Sequence, residues 1–431
     1  MTKASYPSTI SRQRLVSIIG GSAGNLVEWY DWFAYASFAI YFAPVFFPKA
    51  DPTAQLLSTA TIFAAGFVMR PIGAWVMGRF ADGRGRKAGL TLSVALMFSG
   101  SLLLAAAPTY AQAGLLGPAV LLLARMLQGL SLGGEYGASA TYLSEMAPKA
   151  NRGFWASFQY MTLIGGQLCA IAVAVVMQSF LSEAQLTAWG WRVPFVIGAL
   201  LALAVYALRR NLAETPSFEN QAVDRPVSTA KLLWREHRRE SILVAMLSAG
   251  GGLGAYTYTS YMQKYLFNTV GFDKATATYI VAAALLWFTA MQPLFGALAD
   301  RFGRKPMLLV FGIGGALAAV PTFLTLEHIT SPVLAALLIM IPLTLQSGYS
   351  ANNALVKAEL FPAHIRGLGV ALPYAIGNAV FAGTVEMVAL ALKGAGVEWL
   401  FYFYVAAVIA MAGVATLLLP ETRERSLITE D

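Results

Sequence analysis

Residues Gly78–Lys87 read G-R-F-A-D-G-R-G-R-K, and a second stretch, Gly296–Lys305, reads G-A-L-A-D-R-F-G-R-K. In both stretches a glycine precedes an aspartate by four positions, and the run Gly-Arg-Lys comes last. Each stretch lies between two long apolar segments. Two copies of one charged motif indicate an internal repeat, so the sequence predicts a chain built from two related halves.

A second repeated pattern supports this division. It consists of a glutamate, a proline, an arginine and a glycine, which have the same spacing in both copies. Its members are Glu145, Pro148, Arg152 and Gly153 in the first copy and Glu359, Pro362, Arg366 and Gly367 in the second.

The composition is that of an integral membrane protein. The chain has 431 residues, of which 57% are hydrophobic and 12% charged. Soluble domains carry about 25% charged residues, so this chain lacks the charge to cover a water-facing surface. The net charge of +8 comes from basic residues in short loops, and we expect a lipid bilayer rather than nucleic acid as its partner.

Twelve apolar segments are long enough to span a bilayer as helices. They lie at residues 17–44, 53–78, 88–107, 115–145, 153–180, 190–210, 240–268, 275–298, 306–326, 332–358, 367–392 and 397–419. The predicted fold class is therefore an all-α membrane protein, with twelve transmembrane helices in two six-helix bundles related by the internal repeat.

The longest polar connection divides the predicted bundles. It contains two prolines and alternating charges, which is typical of an interdomain linker. The predicted domains are an N-terminal bundle at 1–210, a cytoplasmic linker at 211–240 and a C-terminal bundle at 241–431. Lys and Arg concentrate in alternate loops, whereas the other loops hold Lys49, Lys274 and Lys393. The positive-inside rule then places both termini in the cytoplasm.

The repeated loops resemble the signature of the major facilitator superfamily. Five further stretches are similar to the metabolite:proton symporter family, and the run Y-M-Q-K-Y-L at Tyr261–Leu266 favours its dicarboxylate carriers. The five stretches are Gly24–Asp31, Ala65–Gly73, Gln128–Gly137, Gly153–Gln167 and Trp189–Pro194. The resemblance implies a proton-coupled symporter of the bacterial inner membrane that works by alternating access. Its expected partners are a small anionic metabolite and protons, and it is expected to be a monomer.

The repeated loops are expected to act as latches that break and reform as the halves rock. Asp82 lies near the end of the second span, where it can accept hydrogen bonds from a facing helix N-terminus or pair with Arg152. The alternative is a solvated topology signal, but topology needs only positive charge. For the charges at helix ends, simple pairing between helices is the favoured alternative. The predicted gating residues are Asp82, Arg86, Glu145, Arg152, Asp300, Arg304, Glu359 and Arg366.

Ionisable residues inside the spans are costly in hydrocarbon and mark candidate sites. We expect Asp31 on the first span and Arg125 on the fourth to pair near mid-depth and to couple transport to protons. Sugar/proton symporters of the superfamily are similar here, with an acid and an arginine on these two spans. Glu28 shares a helix face with Asp31, and Glu135 lies on one polar stripe with Arg125, so both join the proton-coupling set.

The predicted substrate site contains two cations, Arg70 from the first half and Lys264 from the second. If the charges of Asp31 and Arg125 neutralise each other, the two cations of this site are left unpaired in a low-dielectric cavity. A bound dianion then offsets the free-energy cost of burying them. A five-carbon dicarboxylate can span such a cavity, with one carboxylate held bidentately by the arginine. The resemblance to dicarboxylate carriers implies that this substrate is α-ketoglutarate. Neutral partners for its keto oxygen are Tyr261, Gln159 and Asn378.

Other functions remain open at this point. The alternatives within transport are a symporter for a zwitterionic osmolyte such as proline or betaine, or for another organic acid. A membrane receptor or a channel belongs to a different class. Enzyme activity is not expected, because the histidines lie in or near loops and no nucleophile, metal or phosphate-loop arrangement is present. We expect no cofactor and no metal.

Overall fold

The computed structural model describes residues 12–49, 51–84, 86–147, 149–210, 230–362 and 365–428. Within these ranges the chain is helical apart from short connections, and no described residue lies in a β-strand. We call residues 12–210 the N half and residues 230–428 the C half.

The N half contains eight α-helices, with short 3-10 turns at Lys149–Asn151 and Gly190–Arg192. The helices are α1 (Arg12–Phe46), α2 (Pro52–Arg84), α3 (Arg86–Ala106), α4 (Tyr110–Ala113), α5 (Leu116–Met146), α6 (Arg152–Phe180), α7 (Glu183–Ala188) and α8 (Val193–Arg210).

The C half contains eleven α-helices, several of which continue directly into π-helical segments. The α-helices are α9 (Ala230–Glu236), α10 (Arg238–Tyr256), α11 (Met262–Tyr265), α12 (Lys274–Phe302), α13 (Arg304–Leu309), α14 (Ala316–Leu326), α15 (Pro332–Ser350), α16 (Asn353–Leu360), α17 (Arg366–Gly377), α18 (Val385–Gly394) and α19 (Trp399–Leu418). The π segments are Thr257–Tyr261, Leu266–Val270, Val310–Gly315 and Asn378–Ala382.

Nine helical segments in the described part of the chain are long and apolar enough to cross a membrane. Three further predicted spans are also helical. Helix α1 covers 17–44, α3 covers 88–107 except for its last residue, and the run from α10 to Val270 covers 240–268. The membrane-protein class predicted from composition agrees with these helices. Helices α9 and α10 begin inside the predicted linker at 211–240, so its last residues are helical.

Glycines allow the two helices that carry the buried arginines to approach closely. A Cβ added at Gly129 of α5 would lie 2.0 Å from the carbonyl oxygen of Gly66 on α2. A Cβ at Gly133 would lie 2.1 Å from the carbonyl oxygen of Arg70. Small residues are what lets membrane helices pack backbone against backbone. This contact fixes Arg70 on α2 against the helix that carries Arg125.

The two halves meet most closely where α6 of the N half packs against α12 of the C half. Gly153 and Gly296 face each other there, and a Cβ on either would lie 2.6 Å from the other's carbonyl oxygen. We call the end of the molecule at Asp300–Lys305 the loop end. The opposite end is the one where α12 begins, at Lys274.

Candidate functional site

Asp31 is completely buried in the N half and is the centre of a polar network. Its Oδ2 accepts hydrogen bonds from Ser101 Oγ and from Gln128 Nε2. Gln128 Oε1 in turn accepts a hydrogen bond from Arg125 Nη1 at 2.6 Å. The structure therefore corrects the expected direct pair of Asp31 and Arg125, because a glutamine amide connects the two side chains.

The other carboxylate oxygen of Asp31 faces α8. A Cβ added at Gly198 would lie 2.2 Å from Asp31 Oδ1, so only glycine fits at this position. Oδ1 has no hydrogen-bond partner in the described structure. A buried oxygen without a donor is costly when ionised, which makes this oxygen a natural acceptor for a proton.

Arg125 lies among aromatic rings rather than among acids. Its guanidinium carbon is 3.8 Å from the centroid of the Trp32 ring and 4.8 Å from that of Tyr35. Attraction between the cation and these ring faces offsets part of its burial. Glu28 is also buried on α1, one turn before Asp31.

Arg70 is the cation in the N half that matches the expectation of an unpaired base. Its side chain is 3% exposed, and its guanidinium carbon lies 3.9 Å from the Phe67 ring centroid and 4.1 Å from that of Trp32. Its Nε and Nη2 have no hydrogen-bond partner among the described residues. Two buried donors without acceptors, on one planar guanidinium, form a fork that suits a carboxylate.

Lys264 does not match that expectation, and the assumption that it is unpaired is wrong for this structure. Its Nζ forms an ion pair with Glu386 on α18, and both side chains are almost fully buried. Ser260 Oγ donates a second hydrogen bond to Glu386, at 2.8 Å.

A small cavity lies between the two halves near the centre of the molecule. Aromatic and amide side chains from both halves line it, including Trp29, Tyr160, Tyr256, Tyr349, Tyr374 and Asn378. Its volume of about 20 Å³ accommodates about one water molecule. The structure therefore has no room for a five-carbon dicarboxylate at its centre, and the halves must move apart to admit one.

The three neutral residues predicted to contact substrate lie in different places. Asn378 lines the cavity. Gln159 is buried beside cavity-lining Tyr160, and its Nε2 has no hydrogen-bond partner in the described structure. Tyr261 packs in an aromatic cluster of the C half, with ring centroids 5.2 Å from Phe401, and is not part of the cavity lining.

Lys357 on α16 is a further cation, outside the site predicted from the sequence. It is completely buried. Its Nζ lies 3.5 Å from the hydroxyl of Tyr349 and 4.1 Å from the ring centroid of Tyr374. Both tyrosines line the central cavity.

The halves are joined at the loop end by Asp300. Its two carboxylate oxygens accept hydrogen bonds from the backbone amides of Gly153, at 2.7 Å, and Phe154, at 2.8 Å. These amides belong to the first turn of α6, so a carboxylate of the C half caps a helix of the N half. Arg304 Nη1 lies 3.2 Å from Asp300, within the same half.

Three other predicted gating residues, Arg304, Glu359 and Arg366, make the following contacts within the C half. Arg304 Nε is 3.8 Å from Glu359, which also accepts a hydrogen bond from Thr422. Arg366 donates to the carbonyl oxygen of Leu427. Arg152 is buried at the start of α6. The side chains of Asp82, Arg86, Glu135 and Glu145 lie outside the described part of the structure.

The halves also touch at the opposite end. Gln178 Nε2 of α6 donates to the hydroxyl of Thr278 on α12 at 3.0 Å, and Asn268 Nδ2 donates to Thr53 Oγ1 at 3.3 Å. Lys274 forms an ion pair with Glu183 across the halves. The halves are therefore in contact at both ends of the molecule, with the small central cavity between them.

The chain resembles known transport proteins over its whole length. It matches the sugar (and other) transporter family at residues 16–225 and again at residues 219–431. It is 49% identical to an α-ketoglutarate permease of Escherichia coli K12, over 96% of this chain and 95% of that protein. A citrate-proton symporter of Klebsiella pneumoniae is 33% identical, over 89% of this chain and 87% of that protein.

Two further similarities bear on substrate and fold. A proline/betaine transporter of Salmonella typhimurium is 30% identical, over 95% of this chain and 84% of that protein. Among solved structures, a D-xylose-proton symporter has a similar fold, with a TM-score of 0.77 over 96% of this chain and 99% of that one. Its sequence identity is 19%, so that likeness concerns the fold alone.

Proposed function

This chain belongs to the sugar (and other) transporter family, and we propose that it is a proton-coupled symporter that imports a small dicarboxylate, α-ketoglutarate first among the candidates. The observation that carries this proposal is Arg70, a buried guanidinium beside the cavity between the halves, two of whose donors have no partner among the described residues. Substrate sites of secondary transporters lie at such interfaces between repeats. The 49% identity to an α-ketoglutarate permease supports the choice of substrate.

We further propose the architecture that the sequence predicts: twelve spanning helices in two six-helix bundles, as a monomer in the inner membrane of a bacterium. Both termini then lie in the cytoplasm, and the loop end is the cytoplasmic end. The loop-end residues Arg301, Arg304 and Lys305 fit the positive-inside rule, and the exposed Arg301 can meet anionic lipid there.

In the proposed substrate complex, Arg70 holds one carboxylate through two parallel hydrogen bonds. Asn378 and Gln159 are candidates for the keto oxygen, because an amide donates hydrogen bonds without adding charge. Lys264 and Tyr261 stay in the candidate set as neighbours on one helical run of the C half. Lys264 can bind a substrate carboxylate only after Glu386 is protonated, because protonation breaks the ion pair between them.

Proton coupling is assigned to Asp31, with Arg125 acting through Gln128. The cation favours the ionised form of Asp31, and burial favours the neutral form. A substrate carboxylate that attracts Arg125 would weaken the first effect and let Asp31 accept a proton. Glu28 and Glu135 are candidates for passing the proton onward.

The gates in this scheme are the contacts between the halves at the two ends. Asp300 and the first turn of α6 form the gate at the loop end, and Asp82 is its counterpart in the repeat. Arg86, Glu145, Arg152, Arg304, Glu359 and Arg366 are proposed to support these two loops. Opening one gate while the other stays closed is alternating access.

The test is uptake of radiolabelled α-ketoglutarate by proteoliposomes that contain the purified chain. An inward proton gradient should drive accumulation above the outside concentration, and an uncoupler should abolish it. Unlabelled dicarboxylates should compete with the labelled substrate. If proline or betaine competes well and dicarboxylates do not, an osmolyte symporter takes the place of this proposal, as the 30% identical proline/betaine transporter would suggest.

A further inference from the structure

Two buried cations flank the central cavity, one from each half. Arg70 comes from α2, and its guanidinium carbon lies 5.3 Å from the ring centroid of Trp29, which lines the cavity. Lys357 comes from α16 and contacts Tyr349 and Tyr374, which line the cavity from the other half. The two cations therefore approach one space from opposite halves.

The direction of the Lys357 side chain follows from the interruption between α15 and α16. Residues Ala351 and Asn352 separate α15 from α16, so Lys357 lies in the second turn of a short helix. Helical side chains lean toward the N-terminus of their helix, which here points Lys357 back toward Tyr349. Asn353, four residues earlier on the same face, also lines the cavity.

We propose that Lys357, rather than Lys264, is the cation of the C half that binds the second carboxylate of the substrate. This inference rests on the proposed function, because it assumes that a dicarboxylate enters the central cavity. Arg70 then holds one carboxylate with its planar fork, and Lys357 attracts the other as a point charge. The pair would select a dianion over a monoanion of the same length.

Lys264 is a poorer candidate for that role on three observations. It already forms an ion pair with Glu386. Ser260 donates a further hydrogen bond to the same carboxylate and stabilises it there. Lys264, Glu386 and Lys357 all lie outside the cavity lining, but Lys357 contacts two tyrosines that belong to it.

Calorimetric binding to the detergent-purified, full-length chain at one fixed pH tests the inference. The two ligands are α-ketoglutarate and 2-oxopentanoate, which has the same carbon chain and keto group but one carboxylate fewer. The wild type should prefer the dicarboxylate. Lys357→Gln should reduce that preference by roughly tenfold to a hundredfold, the usual effect of losing a hydrogen bond to a charged group. Lys357→Arg should keep most of the preference.

Lys393→Gln is the matched control, because it removes a lysine of the same half whose partners are Glu398 and Thr269. It should leave the preference unchanged. The inference is overturned if Lys357→Gln keeps the wild-type preference, or if the neutralised pair Lys264→Gln/Glu386→Gln loses it instead. Should Lys357→Gln not fold, Tyr374→Leu removes the ring beneath Lys357 and should lower the preference several-fold. An unchanged preference in that variant would also overturn the inference.

The same titrations separate this inference from the proposed function. If the wild type binds α-ketoglutarate and only the effect of Lys357→Gln is missing, the symporter proposal stands and the assignment of Lys357 falls. If the wild type binds neither ligand while proline or betaine binds, both the dicarboxylate proposal and this inference are overturned.

Discussion

Arg70 combines two properties that rarely occur together, burial and unsatisfied donors. Its guanidinium is held between the rings of Phe67 and Trp32, while Nε and Nη2 have no acceptor in the described structure. We expect Arg70→Lys to weaken α-ketoglutarate binding by roughly tenfold or more although the charge is kept, because an ammonium group cannot form the bidentate fork. Binding measured by calorimetry checks this. Wild-type affinity in the variant would show that charge alone suffices at this position.

The Lys264–Glu386 pair gives a second expectation at the scale of single residues. Removing one partner leaves the other charge buried, which typically costs about 3–5 kcal/mol. Glu386→Gln should therefore lower the thermal stability of the detergent-purified chain markedly. The double variant Lys264→Met/Glu386→Leu should recover most of that loss, since no buried charge remains. Equal stabilities of the single and double variants would mean that the pair is not energetically coupled.

Single residues were also where sequence analysis was least complete. It identified Asp31, Arg70 and Arg125 because a charge inside an apolar run is visible without a structure. It did not find that Glu386 neutralises Lys264, because the two residues are 122 positions apart. It also expected Asp31 and Arg125 to touch, since no local pattern indicates that a glutamine on the same helix stands between them.

Among the elements, α6 has an unusual cap, because the carboxylate at its N-terminus comes from the other half of the protein. Asp300→Asn should weaken both hydrogen bonds to the first turn of α6 and destabilise the state closed at the loop end. A capping carboxylate contributes about 0.5–2 kcal/mol, so we expect turnover to change several-fold with little change in substrate affinity. Initial uptake rates over a range of substrate concentrations measure the two separately.

Asp273 provides a matched control for that experiment, because it caps α12 within a single half. Hydrogen bonds from the hydroxyl and amide of Thr276 hold the pKa of Asp273 below its ordinary value. Its carboxylate thus stays ionised at neutral pH, and the stability that it adds is lost only as the pH falls through that lowered pKa. Asp273→Asn should leave turnover near the wild-type value. Normal turnover with weakened binding in Asp300→Asn would contradict the gating role.

Hydropathy predicted the bounds of these helices because a helix that crosses lipid must be apolar over its whole length. Helices α6 and α15 begin within one residue of the predicted spans at 153–180 and 332–358. The π segments and the break at Ala351–Asn352 were not predicted, because apolar periodicity does not distinguish an α turn from a π turn. These irregularities place Asn378 and Lys357, and π segments are frequent at functional sites.

At the scale of the whole molecule, the two halves are in contact at both ends. The halves touch at the loop end through Asp300 and at the opposite end through Gln178 and Asn268. The cavity between them has room for about one water molecule. Substrate must therefore enter through a state in which one of these two sets of contacts is broken. The internal repeat predicted two halves, but which contacts close the cavity depends on their relative position.

The central claim is that proton entry and dicarboxylate entry are one event. Proteoliposomes with a trapped pH-sensitive dye test it directly when α-ketoglutarate is added outside. With wild-type protein the interior should acidify as substrate enters. Asp31→Asn should exchange labelled α-ketoglutarate across the membrane but neither acidify the interior nor accumulate substrate. Import by the wild type without acidification, or normal proton-driven accumulation by Asp31→Asn, would contradict the account.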